Sequence, residues 1–181
     1  MTARAVPILK GPRVTLRPVE PGDVAARQAL GYDPDITRSY GGNTRATSVM
    51  SDEEADHWVQ MIGSYRYAWI IDAGGLIGHI RLHGLVEADQ RAALAVGIDD
   101  PRRLGQGLGT EAIQLVVGYA IDALHLRRIS LRVLEFNTRA IKAYESVGFI
   151  IEGRERRAAL IDGKRHDDIM MGLLDDEFIR D

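Results

Sequence analysis

An α/β fold, α+β in layout, with a mixed and mostly antiparallel central sheet flanked by helices, is predicted by three features of these 181 residues. The first is a run of strand patterns between Tyr65 and Ile98 joined only by short turns, which makes a meander rather than a βαβ series. The second is Arg102-Arg103-Leu104-Gly105-Gln106-Gly107-Leu108-Gly109-Thr110, where alternate glycines separate the last of those strands from an amphipathic helix. The third lies beyond that helix: a strand, a short helix and paired strands around Asp162-Gly163. Helices before and after the meander can cover both faces of one sheet.

In chain order, residues 1–12 are a lead-in, and Arg13-Val14-Thr15-Leu16-Arg17-Pro18 reads as the first strand. Asp23 opens a helical pattern, and Ser51-Asp52-Glu53-Glu54 is a capping box ahead of Ala55, Trp58, Val59 and Ile62. The meander runs from Tyr65 to Asp72, through the Gly74-Gly75 turn, along Leu76 to His83, and back along Ala92 to Ile98. Strand parity puts His79, Arg81 and His83 on one face of its middle strand, with Leu76, Ile80 and Leu82 on the other. Ile113, Val116, Val117, Ala120 and Leu124 predict a helix over 110–124. Ile129 to Leu134 is the next strand, and Asn137 caps a helix that closes at Gly148. The closing hairpin turns at Asp162-Gly163. Its flanking Arg154, Arg156, Arg157, Lys164 and Arg165 read as a solvated edge. One domain over 13–174 and a tail over 175–181 complete the organisation.

The glycine loop carries the chemistry. Glycine permits left-handed backbone and close main-chain approach to a ligand, and the next helix offers unpaired N–H groups and a partial positive charge. A pyrophosphate suits such a site. A nucleoside-triphosphate P-loop is excluded, because Thr110-Glu111 stands where Lys-Ser or Lys-Thr is needed. A dinucleotide fingerprint fits poorly, since Thr110 replaces its last glycine and the loop lies past mid-chain. A flexible turn without a ligand stays open on these letters alone. Gly97 interrupts an apolar strand, which predicts a bulge or a close approach.

Asn137-Thr138-Arg139-Ala140-Ile141-Lys142-Ala143-Tyr144-Glu145-Ser146-Val147-Gly148-Phe149, at this distance from the glycine loop, resembles the GCN5-related N-acetyltransferases (GNAT), in the branch of RimJ/RimL-like ribosomal-protein acetyltransferases. The resemblance runs from about Arg13 to Leu174 and departs at Leu104, where the family loop usually has Arg or Gln. It implies direct transfer of an acetyl group from acetyl-CoA to a primary amine, either a protein N-terminus or a small molecule. Implied cofactor contacts are the splayed strand Val96, Gly97 and Ile98, then Arg103, Leu104, Gly105, Gln106, Gly107, Leu108, Gly109 and Thr110, then Asn137, Arg139, Ala140 and Tyr144. Arg102 is a further candidate for the phosphates. Main-chain N–H groups near Val96 to Ile98 would hold the developing oxyanion, and the Tyr144 phenol would hydrogen-bond the departing thiolate. His83 is the candidate base, with Glu87 and Asp89 nearby in sequence. A non-catalytic acyl-CoA sensor on the same fold is the alternative.

Composition narrows the field. A formal charge of −3 gives no footprint for nucleic acid. The absence of cysteine excludes a thiol nucleophile, disulfides and thiolate metal sites. No His and carboxylate cluster has metal-ligand spacing, so no metal is expected. No apolar run suggests a signal peptide or a membrane span, so a cytoplasmic protein is expected. Homodimers, common among such enzymes, are compatible with these letters.

Overall fold

In a computed structural model, residues 6–45 and 47–180 are described. The start of the lead-in, Ala46 and the end of the tail at Asp181 lie outside the described residues. Strands β1 (Leu9–Lys10), β2 (Thr15–Arg17), β3 (Tyr67–Asp72), β4 (Leu76–Val86), β5 (Arg91–Ile98), β6 (Arg128–Leu134), β7 (Ile150–Ile161) and β8 (Lys164–Leu174) make one sheet. Its order is β1-β2-β3-β4-β5-β6-β8-β7, antiparallel except between β5 and β6. The mixed, mostly antiparallel sheet expected from the meander is therefore what forms. The sheet also starts earlier than expected, because Leu9 and Lys10 pair with Leu16 and Thr15.

Helices cover both faces. On one, α4 (Leu108–Asp122) and α5 (Thr138–Val147) bury Ile113, Val116, Val117, Tyr144 and Val147 against Trp69, Ile80, Leu82, Leu94, Leu131 and Met171. On the other, α1 (Asp23–Leu30) and α3 (Asp52–Ser64) pack Ala26, Leu30, Trp58 and Ile62 on Ala68 and Ile70. Leu76 belongs to this second layer, not with Ile80 and Leu82 as simple alternation implies. The register shifts between Ile71 and Asp72, and that bulge reverses parity at the start of β4. The capping box at Ser51 and Glu54 forms as expected.

Two local differences from expectation matter for the site. Helix α4 begins two residues early, because left-handed Gly107 is its N-cap and Gly109 fits inside its first turn. A short helix α2 (Pro34–Ser39), capped by Asp33 accepting from the Ile36 amide, occupies a stretch too brief to show periodicity. The β7–β8 hairpin turns at Asp162 and Gly163 with φ of 48° and 76°, the two positive values that a type I′ turn requires. Among the described residues no helix is long and apolar enough to cross a membrane.

The sheet is split near its middle. β5 and β6 pair in parallel only at Arg91–Arg128, Ala92–Ile129 and Ala93–Ser130. Beyond these, β5 stays with β4 as far as Ile98–Gly78, and β6 stays with β8 as far as Leu134–Asp168. The two strands part, and a cleft of about 1510 Å³ opens between and around them.

Candidate active site

The glycine loop forms one end of the cleft. Gly105 and Gly107 have φ of 72° and 77°, conformations that a Cβ disfavours. The first hydrogen bond within α4 runs from the Glu111 amide to the Gly107 carbonyl, so the amides of Leu108, Gly109 and Thr110 have no acceptor in the helix. The loop is braced from outside by Arg13. Its Nη1 donates to the Gln106 carbonyl at 2.7 Å and its Nε to Glu111 Oε2 at 2.9 Å. Glu111 Oε1 in turn accepts from the Arg13 and Val14 amides, which ties the loop to the start of the sheet. Arg13 carried no signal in the glycine motif, because its contact with Glu111 spans 98 residues of sequence.

The neighbouring side chains divide. Leu104, Gly105, Gly107, Leu108, Gly109 and Thr110 line the cleft, and so does Arg103, whose Nη2 also donates to the Ala73 carbonyl at 3.3 Å. Gln106 turns back, its Nε2 donating to the Arg102 carbonyl. Arg102 is committed to Asp100, which accepts from its Nε and Nη2 at 2.9 and 3.0 Å. That pairing removes Arg102 from the phosphate candidates.

Within the split, Val96 and Ile98 line the cleft, whereas Gly97 is covered by Tyr40. No bulge occurs at Gly97: its pairing with His79 lies in an unbroken register. Close approach is the reason for the glycine, since a Cβ there would lie 2.7 Å from Tyr40 Cζ and 3.1 Å from His79 Cε1. Tyr40 as a whole residue is 49% exposed, but its hydroxyl end lies buried over Gly97. The Ile98 amide hydrogen-bonds its oxygen, and burial raises its pKa well above the usual phenol value. Tyr40 is a site residue that sequence reasoning missed, for it lies in a loop with no motif.

Tyr144 stands across the split. It is 6% exposed, packs edge-on against Phe149 at 5.8 Å between centroids, and lines the cleft. Burial pushes its pKa up to about 12. Asn137 Oδ1 accepts from the Ala140 amide at 3.3 Å, and its Nδ2 lies 3.5 Å from the Ser39 carbonyl. It thus caps α5 and joins that cap to the end of α2. Arg139 and Ala140 line the same wall.

The other side of the cleft, under α1 and α3, holds His79, Arg81 and His83 on one face of β4, as parity predicts. His79 Nδ1 is 3.4 Å from buried Asp99, and its Nε2 is 3.1 Å from Arg81 Nη1, so both ring nitrogens are engaged. No protein hydrogen bond engages His83 among the described residues. Burial, with Arg81 and Arg132 nearby, lowers its pKa below 6.5 and keeps it neutral at pH 7. Glu87 and Asp89 lie in an exposed turn beyond β4, paired with Arg66 and Arg91, and do not line the cleft. Overhead, the stretch Tyr40 to Thr44 reaches the hairpin tip: the Thr44 amide and Oγ1 donate to Asp162 at 2.8 and 2.7 Å, and the Asp162 amide donates to Asn43 Oδ1.

A split sheet, a glycine loop with free helix-end amides at one side of it and a phenol across it form a constellation that comparison with known proteins resolves. Residues 13–150 match the family described as Acetyltransferase (GNAT) domain. The chain belongs to the GNAT family. It is an acetyl-CoA-dependent N-acetyltransferase, and relatives span its length. The uncharacterized N-acetyltransferase p20 of Bacillus licheniformis is 30% identical over 92% of this chain and 95% of its own. The spermidine N(1)-acetyltransferase of Escherichia coli K12 is 25% identical over 92% and 88%. Among solved structures, a GNAT-family acetyltransferase from Bacillus anthracis superposes with a TM-score of 0.79, at 20% identity, over 94% of this chain and all of the other. The spermidine N-acetyltransferase of Vibrio cholerae, in complex with CoA and spermine, gives 0.75 at 23% identity over 92% and 98%.

Proposed function

We propose that this GNAT enzyme transfers an acetyl group directly from acetyl-CoA to the primary amine of a small molecule held under α1 and α3. The observation that carries the reading is the continuity of one cleft from the α4 amides, through the split between β5 and β6, to the His79–His83 face of β4. The free amides of Leu108, Gly109 and Thr110 fit a pyrophosphate, and the unpaired edges of β5 and β6 fit an amide-bearing arm. When bound, acetyl-CoA supplies an activated thioester.

Each protein group has a position for its task. The backbone N–H of Ile98, aimed into the split and met by the Tyr40 hydroxyl, is the donor suited to a developing oxyanion once that hydroxyl moves aside. Tyr144 offers its hydroxyl to the leaving sulfur. His83, neutral and unpaired, takes the proton that the attacking nitrogen loses, directly or through water. A RimJ/RimL-like enzyme would instead accept a peptide N-terminus. The roof from Tyr40 to Thr44, fastened to Asp162, favours a compact amine over an extended chain. Incubation with acetyl-CoA and a panel of small amines and peptides, with release of free thiol as the readout, tests this. Turnover confined to peptides would reject the small-molecule reading, and no turnover of any amine would reject transfer to amines altogether.

A further inference from the structure

The amine side of the cleft carries charge of one sign that the protein leaves unanswered, and its meaning depends on the acetyltransferase reading above. Its three carboxylates are all engaged. Asp33 Oδ1 accepts from the Ile36 amide at 2.9 Å, Asp99 lies between His79 and Arg27 at 3.4 and 3.9 Å, and Asp168 is 3.6 Å from Arg132 Nη1. A polycation entering here would find no free carboxylate among the described residues.

The guanidinium of Arg81 is in the opposite situation. It is fixed in place, 4.8 Å over the Tyr65 ring with Nη1 on His79, yet among the described residues it has no carboxylate in contact and its buried Nε has no hydrogen-bond partner. A buried donor without an acceptor is uncommon in folded proteins and points to a group that arrives later. Arg132 approaches from β6, on the same face; its Nη1 lies 3.6 Å from Asp168, but its side chain is 71% exposed, so this pairing leaves it able to reach a ligand. Between the two lie Ala93 and Ala95 of β5, whose methyl groups leave the floor open. Strands two places apart are separated by about 10 Å where they pair and by more here, where β6 has parted from β5, and the two long arginine side chains line this gap from either side.

We propose that the acceptor is a primary amine that also bears an anionic group, a carboxylate or a phosphate, held by Arg81 with Arg132. Burial is the main cause of the lowered His83 pKa, and the positive field of Arg81 and Arg132 adds to it. Such a field also disfavours the ammonium form of the acceptor, which cannot attack, so recognition and activation draw on the same residues.

Matched amines test this: glycine against glycinamide, phosphoethanolamine against ethanolamine, and spermidine beside them, assayed by thiol release. The anionic member of a pair should show the higher kcat/KM, and the responding pair tells carboxylate from phosphate. Arg81→Gln should shrink that ratio by roughly ten- to a hundredfold, the range of a charge-assisted hydrogen bond, and Arg81→Lys should restore part of it. Preference for spermidine or for the neutral members would overturn the proposal while leaving acetyl transfer standing. If no amine releases thiol, acetyl transfer itself fails. Calorimetric titration of the CoA-saturated protein with glycine and phosphoethanolamine then decides the anion site, and equal affinities for wild type and Arg81→Gln would reject it.

Discussion

Tyr144 combines a buried hydroxyl with suppressed acidity, which defines what it contributes. With a pKa of about 12 against about 8.5 for a simple thiol, full proton transfer from Tyr144 to the leaving sulfur is uphill by about 5 kcal/mol. On the proposed mechanism its hydrogen bond would stabilise the thiolate, and solvent would complete the proton transfer afterwards. In Tyr144→Phe the ring keeps its contact with Phe149, so acetyl-CoA affinity should hold while kcat falls by about ten- to a hundredfold. Single-turnover kinetics beside calorimetry separate the two effects, and unchanged kcat would remove the hydroxyl from the reaction. His83 makes a prediction about pH. Its folded pKa lies below its ordinary value, so kcat/KM should rise with pH along a limb centred below about 6.5 as the imidazole loses its proton. Arg132→Gln should move that limb upward and His83→Gln should abolish it. The same shift means that the unfolded chain binds more protons in this window, so His83 favours unfolding as pH falls.

At the scale of elements, the tip of the β7–β8 hairpin acts on the cleft through its tie to the Tyr40–Thr44 stretch. Asp162 is held below the usual carboxylate range by the Thr44 hydrogen bonds and stays ionised down to acid pH. Asp162→Gly, which tolerates the positive φ and removes the carboxylate, should free the roof without unfolding the sheet, raising KM for the amine severalfold with little change in melting temperature; steady-state kinetics beside a thermal melt check both. The hairpin turn was legible in Asp162-Gly163, because positive φ at two successive residues selects such a pair. Its partner was not legible. A contact between Thr44 and Asp162 spans 118 residues and leaves no periodicity or local motif. The same reason hid Tyr40 and Arg13, while Asn137 and Gly148 announced the ends of α5 through local capping.

For the whole molecule, hydrophobic periodicity carried the fold, and the glycine spacing carried the cofactor end of the cleft. The amine end depended on register. Which of His79, Arg81 and His83 meets which residue of β5, and where Leu76 turns away, are set by bulges that composition does not reveal. The division of the sheet also governs how its backbone responds to a ligand. The Ile98 amide points into the split, where the Tyr40 hydroxyl meets it, and by strand alternation the amide of Val96, beyond the last β5–β6 pair at Ala93 and Ser130, points the same way, away from β4. In hydrogen-exchange mass spectrometry the free protein should therefore exchange rapidly at Val96, with Ile129 to Val133 and their β8 partners remaining slow. Acetyl-CoA at about a hundred times its Kd should add about 2.7 kcal/mol of stability and slow exchange at Val96. Equal exchange with and without it would mean that the ligand does not lie along this edge. Sheets usually leave unpaired backbone at their margins, where another chain can add to it. This one also leaves it at the centre, so on the proposed reading the cosubstrate would take the place of an absent strand, and binding would complete a ladder that folding leaves unfinished.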